Sequence, residues 1–148
     1  MRIEQSFHVR RPPDEVFAYL TDPAHLAEWQ DSKVSVEPLT EGPPRQGYRV
    51  KERTRIGLRE WDQVVEFTRF EPGRLLETHI VEGSVPVDGR WELSDDGDGG
   101  SRVTFAAWGD LHGPLRVAEP LLKAGIARSF RHYHERLARN VEGRGGGW

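Results

Sequence analysis

The chain has no cysteine among its 148 residues, which excludes disulfide staples and thiol catalysis and says little about compartment. It also lacks a long apolar run. The opening MRIEQSFHVRR has no apolar signal core, and no stretch approaches the ~20 residues of a membrane span, so the default location is cytoplasmic. Positive charge is not in excess: the formal net charge is -3, so neither nucleic acid nor an anionic membrane is an expected partner. A phosphate-cradling loop is missing too, since the glycines of DDGDGG at 95–100 lie among acids that repel phosphate. His132 and His134 stand two apart on a helix and point in nearly opposite directions. No other Cys/His or carboxylate-histidine spacing suggests a metal, and no cofactor is implied.

What the chain does have is alternation. Hydrophobic residues at 36% and charged residues at 30% describe a globular protein whose length fits one domain, with a core large enough to leave room for a cavity. Arg2 to Val9 reads as a strand with Ile3, Phe7 and Val9 on one face. Pro12-Pro13-Asp14-Glu15 starts a short helix with Val16, Phe17 and Leu20 inward. Thr21-Asp22-Pro23 starts a second with Leu26 and Trp29 inward. Lys33 to Leu39 is the next strand. A meander follows with strands at 48–56, 59–70, 74–82, 85–94 and 102–109.

Two glycine-first turns, Gly57-Leu58 and Gly83-Ser84, set the pairing of the strands beside them. Around Gly57, Arg55 falls opposite Glu60, Arg53 opposite Asp62 and Arg49 opposite Glu66. The other face pairs Tyr48 with Phe67, Val50 with Val65, Thr54 with Trp61, and Glu52 with Gln63. Around Gly83, Leu76 falls opposite Trp91, Thr78 opposite Gly89 and Ile80 opposite Val87, while Glu77 meets Arg90 and His79 meets Asp88. Apolar and charged partners separate cleanly in both hairpins. The basic run at Arg49, Lys51, Arg53, Arg55 and Arg59 is largely neutralised by acids on the facing strand. Oligomeric state stays open between monomer and homodimer, with Leu75, Val81 and Trp108 as outward apolar residues.

From Pro114 to about Val141 the period becomes helical, with a stripe at Leu115, Ala118, Leu122, Ile126, Phe130, Tyr133, Leu137 and Val141. Only the apolar face of the sheet matches that stripe in size. The predicted organisation is one domain over residues 1–142 and a disordered tail at 143–148.

The segment PPDEVFAYLTDPAHLAEW at 12–29, Gly47 opening a strand, GRWEL at 89–93, SRVTF at 101–105 and the closing helix together resemble the START-related helix-grip (SRPBCC) superfamily, and within it the bacterial polyketide cyclase/dehydrase-like proteins. The resemblance implies an α+β fold in which a curved antiparallel sheet of about seven strands wraps a long C-terminal helix, with an elongated cavity between them. Members bind lipids, sterols, polyketides or hormones; some act as cyclases or hydrolases, and others bind chaperones or quinones. No shared catalytic motif transfers with the fold.

In such a fold the inward residues become the expected ligand contacts: Tyr48, Val50, Thr54, Trp61, Val65, Phe67, Leu76, Thr78, Ile80, Val87, Trp91, Leu93 and Phe105 from the sheet, and Leu122, Ile126, Phe130 and Tyr133 from the helix. The same residues could equally be a filled core. Glu52 and Gln63 are the catalytic candidates. Burial among apolar residues would raise the Glu52 pKa and suit it to acid/base work in aldol closure or dehydration, with Gln63 orienting it. Alternatively Glu52 pairs with a helix arginine such as Arg128 or Arg131, or reaches water. The expected functions are therefore hydrophobic or aromatic ligand binding, a cyclase/dehydratase activity, or a chaperone-type interaction module.

Overall fold

The computed structural model describes residues 1–83 and 85–146. Among these, β1 (Arg2–Val9) leads into α1 (Pro13–Thr21) and α2 (Pro23–Trp29), then β2 (Lys33–Pro38), β3 (Arg49–Ile56), β4 (Arg59–Glu71), β5 (Leu75–Glu82), β6 (Asp88–Asp95), β7 (Ser101–Trp108), α3 (Pro114–Val117) and α4 (Glu119–Gly146). The strands form one antiparallel sheet in the order β1-β7-β6-β5-β4-β3-β2. The first strand joins the last, because β1 pairs β7 along its whole length, from Arg2 with Trp108 to Val9 with Ser101.

The β3–β4 hairpin has the predicted register throughout, from Arg49 with Glu66 to Ile56 with Arg59. Gly57 takes φ +62°, the left-handed conformation that a glycine-first hairpin turn requires. Its outer face carries Arg49–Glu66, Arg53–Asp62 and Arg55–Glu60 hydrogen bonds of 2.9, 2.8 and 2.6 Å. Exposed pairs of this kind contribute little stability each.

The β5–β6 pairing keeps the predicted register but is shorter. It runs from Leu75 with Glu92 to Thr78 with Gly89, and β6 begins at Asp88 instead of 85. Pro86 cannot donate to the ladder, and its carbonyl lies close against Gly109, where a Cβ would stand only 2.1 Å away. Ile80 and Val87 therefore make no ladder pair, although His79 still meets Asp88. The Gly83-Ser84 turn itself falls partly outside the described residues.

Two bulges separate β4 from a regular alternation with β5. The register slips between Phe67 and Arg69, and again between Val64 and Val65 opposite Val81. The extra residue at Thr68 turns Phe70 to the same side as Phe67, where it stacks on Phe67 at 6.2 Å and meets Phe17 of α1 edge-on at 5.1 Å.

The helical stripe breaks once. Pro120 has no N–H to offer the Arg116 carbonyl, so the helix restarts and α3 is separated from α4 at Ala118. At the other end α4 continues through Gly146, so residues 143–146, expected as tail, extend the helix; 147 and 148 lie outside the described residues. Leu75 is buried, so it is not the exposed apolar residue expected, although its register opposite Glu92 keeps it out of phase with the cavity-lining Leu76. Trp108 lies beneath the guanidinium groups of Arg2 and Arg90.

The core runs from Val9, Val16 and Val103 through Phe105 to Leu137 and Val141, all at most 1% exposed. At its centre His134 is 3% exposed and held on three sides. Trp91 Nε1 donates to His134 Nε2 at 3.1 Å, His134 Nδ1 bonds Gln5 Oε1 at 2.9 Å, and Phe7 stacks on the ring at 4.6 Å. An indole can only donate, so Nε2 accepts and the proton sits on Nδ1. Gln5 in turn donates to the Ala127 carbonyl at 2.8 Å, tying β1 to α4.

Burial pushes the His134 pKa down to about 3. Because the folded value lies below the unfolded one, this group favours the folded state fully above about pH 6.5, and that advantage is lost as pH falls towards 3. At about 1.4 kcal/mol per unit, His134→Gln should lower stability at pH 7 yet remove about 2–3 kcal/mol of the wild type's loss between pH 6.5 and pH 4.5. Urea unfolding across that range checks it; parallel pH curves for the two proteins would show that His134 does not titrate on unfolding.

Candidate functional site

A cavity of about 850 Å³ lies between the inner face of β3–β6 and the N-terminal half of α4, with α2 and the start of β2 closing one side. It exists because α4 packs unevenly. Leu137 and Val141 are 0–1% exposed, whereas Leu121 is 82% exposed. Between these ends, Phe130 stacks on Phe105 at 4.6 Å and approaches Trp91 at 6.3 Å. Trp91, Phe130 and Tyr133 are the last residues to line the void before packing becomes complete. Ile56, Arg59 and Leu121 mark its open end.

The walls are mainly apolar, with one polar group set into them. Glu52 accepts from Gln63 Nε2 at 3.1 Å, the cross-strand contact that their register predicts. Its main partner is Lys33, not an arginine of the helix. Lys33 Nζ lies 3.1 Å from Glu52 Oε1 and donates to Thr54 Oγ1 at 2.9 Å, and both charged side chains are under 10% exposed. Arg128 lines the same cavity without reaching Glu52, and Arg131 stands on the other flank of α4 beside Phe7 and His8. Glu52 is thus half of a buried ion pair and not a lone acid. The mutual attraction of such a pair roughly offsets the desolvation of both ions.

A bulge brings Lys33 there. Plain alternation through Val34 and Val36 would put Lys33 on the outer face. The register between β2 and β3 slips between Lys33 and Ser35, so Lys33 stands opposite Thr54 while Val34 is left 45% exposed. Just before it, Ser32 Oγ and Tyr133 Oη lie 2.5 Å apart. Burial raises the Tyr133 pKa, so its hydroxyl is a neutral hydrogen-bonding group at the cavity wall.

Of the residues expected at the site, Val50, Glu52, Thr54, Trp61, Gln63, Val65, Phe67, Leu76, Thr78, Ile80, Val87, Trp91, Leu122, Ile126, Phe130 and Tyr133 line the cavity. Tyr48, Leu93 and Phe105 lie behind it, in the core. Tyr48 packs on Phe67 at 5.6 Å, and Phe105 is covered by Phe130, Trp91 and His134. Facing inward does not place a residue on the void where the helix sits directly above it.

The α2–β2 segment, with Leu26, Trp29, Gln30, Ser32 and Lys33, also lines the cavity and was missed. The inward stripe of Leu26 and Trp29 signalled a buried α2 but not which void it faces. The Trp29 indole N–H is buried without an acceptor among the described residues. Among the histidines, His132 reaches Asp31 at 2.9 Å outside the core while His134 is buried within it.

A family model described as polyketide cyclase / dehydrase and lipid transport matches residues 1–142. Among solved structures, a conserved protein from Geobacillus kaustophilus has a TM-score of 0.79 at 18% identity, covering 95% of this chain and 95% of its own. The Zhui aromatase/cyclase from Streptomyces sp. R1128 has a TM-score of 0.77 at 18% identity, covering 97% of this chain and 94% of its own. The protein TTHA0849 from Thermus thermophilus has a TM-score of 0.77 at 16% identity, covering 95% of this chain and 97% of its own. At these identities the likeness establishes the helix-grip architecture alone. No curated protein matches the sequence.

Removing one ion of the buried pair leaves the other stranded, which typically costs about 3–5 kcal/mol. Lys33→Met should lose that order of stability, and adding Glu52→Gln should restore much of it. A double-mutant cycle by urea unfolding at pH 7 measures the coupling; strictly additive effects would show that the two charges do not interact.

Proposed function

The chain belongs to the polyketide cyclase/dehydrase and lipid transport family, and on that premise we propose that it binds a hydrophobic or aromatic small molecule in the cavity beneath α4. The observation that carries this reading is the cavity itself. Its ~850 Å³ falls within the usual range for small-molecule sites, and apolar walls with a few convergent polar groups are their usual composition. Trp61 and Trp91 offer flat surfaces to stack on, and Val50, Val65, Phe67, Leu76, Ile80, Leu122, Ile126 and Phe130 offer apolar contact. Thr54 and Thr78 on the sheet and Tyr133 on α4 are polar points in the lining. Tyr48 and Phe105 act only by holding the wall from behind. A void of this size favours ligand binding over a purely protein-binding module.

The Gln63–Glu52 hydrogen bond favours one second reading, a cyclase or dehydratase. In it the Glu52 carboxylate takes a proton from a carbon flanked by carbonyls. The electron pair left behind moves to the carbonyl oxygen, where the Lys33 ammonium and the Gln63 amide stabilise the enolate.

Ile126→Trp should fill the cavity from the helix side without disturbing the core below Phe130. The expected result is at least a tenfold loss of affinity for 2-naphthol, followed by tryptophan fluorescence, with the far-ultraviolet circular dichroism unchanged; undiminished affinity would refute binding in this cavity. Glu52→Gln, which also strands Lys33 and is therefore compared with wild type at a temperature where its circular dichroism shows it folded, separates the two readings. A carrier keeps its affinity within about threefold and shows no turnover of a linear poly-ketone, whereas an enzyme turns it over and loses that activity in the variant.

A further inference from the structure

We propose that the ligand is an amphiphile with a single anionic head, its apolar body inside the cavity and its carboxylate or phosphate held at the mouth by Arg59 and Arg128. This rests on the reading that the cavity binds a hydrophobic molecule, and it adds where the ligand's charge sits.

Among the described residues, six that carry a fixed charge line the cavity: Asp22, Lys33, Glu52, Arg59, Asp88 and Arg128. Four of them have partners. Asp22 caps α2, accepting from Ala24 N at 2.9 Å, and Asp88 meets His79 Nδ1 at 2.5 Å. Lys33 and Glu52 hold each other. Among the described residues, neither Arg59 nor Arg128 has a carboxylate within ion-pair distance.

Arg59 is also set apart from the other arginines of its hairpin. It opens β4 in phase with Trp61, Gln63 and Val65 on the inner face, while Arg49, Arg53 and Arg55 point outward to Glu66, Asp62 and Glu60. Arg128 comes from the opposite side, on the stretch of α4 that spans the void. Guanidinium groups present forked donors that suit carboxylate and phosphate oxygens.

The interior excludes the head. Glu52 would repel it, and the Lys33 charge is already neutralised. Both arginines are exposed, so an anion bound to them keeps part of its hydration and avoids the cost of burial. The rim supplies the apolar path inward. Ile56 and Leu121 are 56% and 82% exposed, and Leu58 in the turn after Ile56 is fully exposed.

Binding of dodecanoate, dodecyl phosphate and 1-dodecanol, followed by the fluorescence of the cavity tryptophans at pH 7.5 and low salt, tests the proposal. At least one of the two anions should bind about tenfold more tightly than the alcohol, and the preference should shrink in 0.5 M NaCl because the contact is exposed. Arg59→Gln with Arg128→Gln should bring the anions to the alcohol's affinity and leave the alcohol unchanged, whereas Arg53→Gln on the outer face should keep the preference. Preference for one anion over the other identifies the head. Equal affinities in the wild type, or a preference that survives the double substitution, would overturn the head assignment while hydrophobic binding stands. Failure of all three amphiphiles and of 2-naphthol to bind would overturn both.

Discussion

The stacking of Phe130 on Phe105 is the contact on which the rest of this molecule depends. Below it, Leu137 and Val141 are fully buried where α4 packs on β1, α1 and α2. Above it, the helix continues over the inner face of β3–β6 without enough side-chain volume to fill the gap. Large aromatic rings at the pivot hold the two surfaces apart, and Gly125 and the solvent-facing Leu121 do not fill the space beyond. Close packing is the rule in protein interiors, so a void this large persists only where the backbone elements are fixed elsewhere. Here the Trp91–His134–Gln5 chain and the lower half of α4 do that fixing.

Three bulges decide which side chains meet the void. The one at Thr68 turns Phe70 into the core, and the one opposite Val81 shifts the end of β5. The third, at Val34, carries the most chemistry, because it turns a lysine inward opposite Glu52. Without it the wall would hold an uncompensated carboxylate. With it, the wall holds a paired, hydrogen-bonded group of four polar residues that can orient a ligand carbonyl or hydroxyl without carrying net charge. Among the described residues, the positive charges on the cavity lining that have no carboxylate partner are those of Arg59 and Arg128.

Much of this is legible in the amino-acid sequence. Gly57-Leu58 sets the β3–β4 register to the residue, and the separation of Arg–Glu and Arg–Asp pairs from aromatic and aliphatic pairs identifies the inner face. The Glu52–Gln63 contact follows from that register alone. Tyr48 and Phe105 are correctly read as inward but do not reach the cavity, since alternation reports which face a residue takes and not what stands above it. The Lys33–Glu52 pair is not legible, because a bulge is a two-strand event with no single-strand signature in Lys33-Val34-Ser35. The break before α4 has a visible cause in Pro120, which the apolar stripe obscures.

The sequence by itself determined the succession of strands and helices, the register of the β3–β4 hairpin and the amphipathic closing helix, because these rest on local periodicity and turn chemistry; the helix-grip architecture came from the family resemblance, and the pairing of β1 with β7 from the tertiary structure. Only the tertiary structure decided where the helix lies close to the sheet and where it stands off, which carboxylate meets which cation, and which arginines are left without one. Those outcomes depend on side-chain volumes and distances between segments far apart in the chain, and no periodic pattern encodes them.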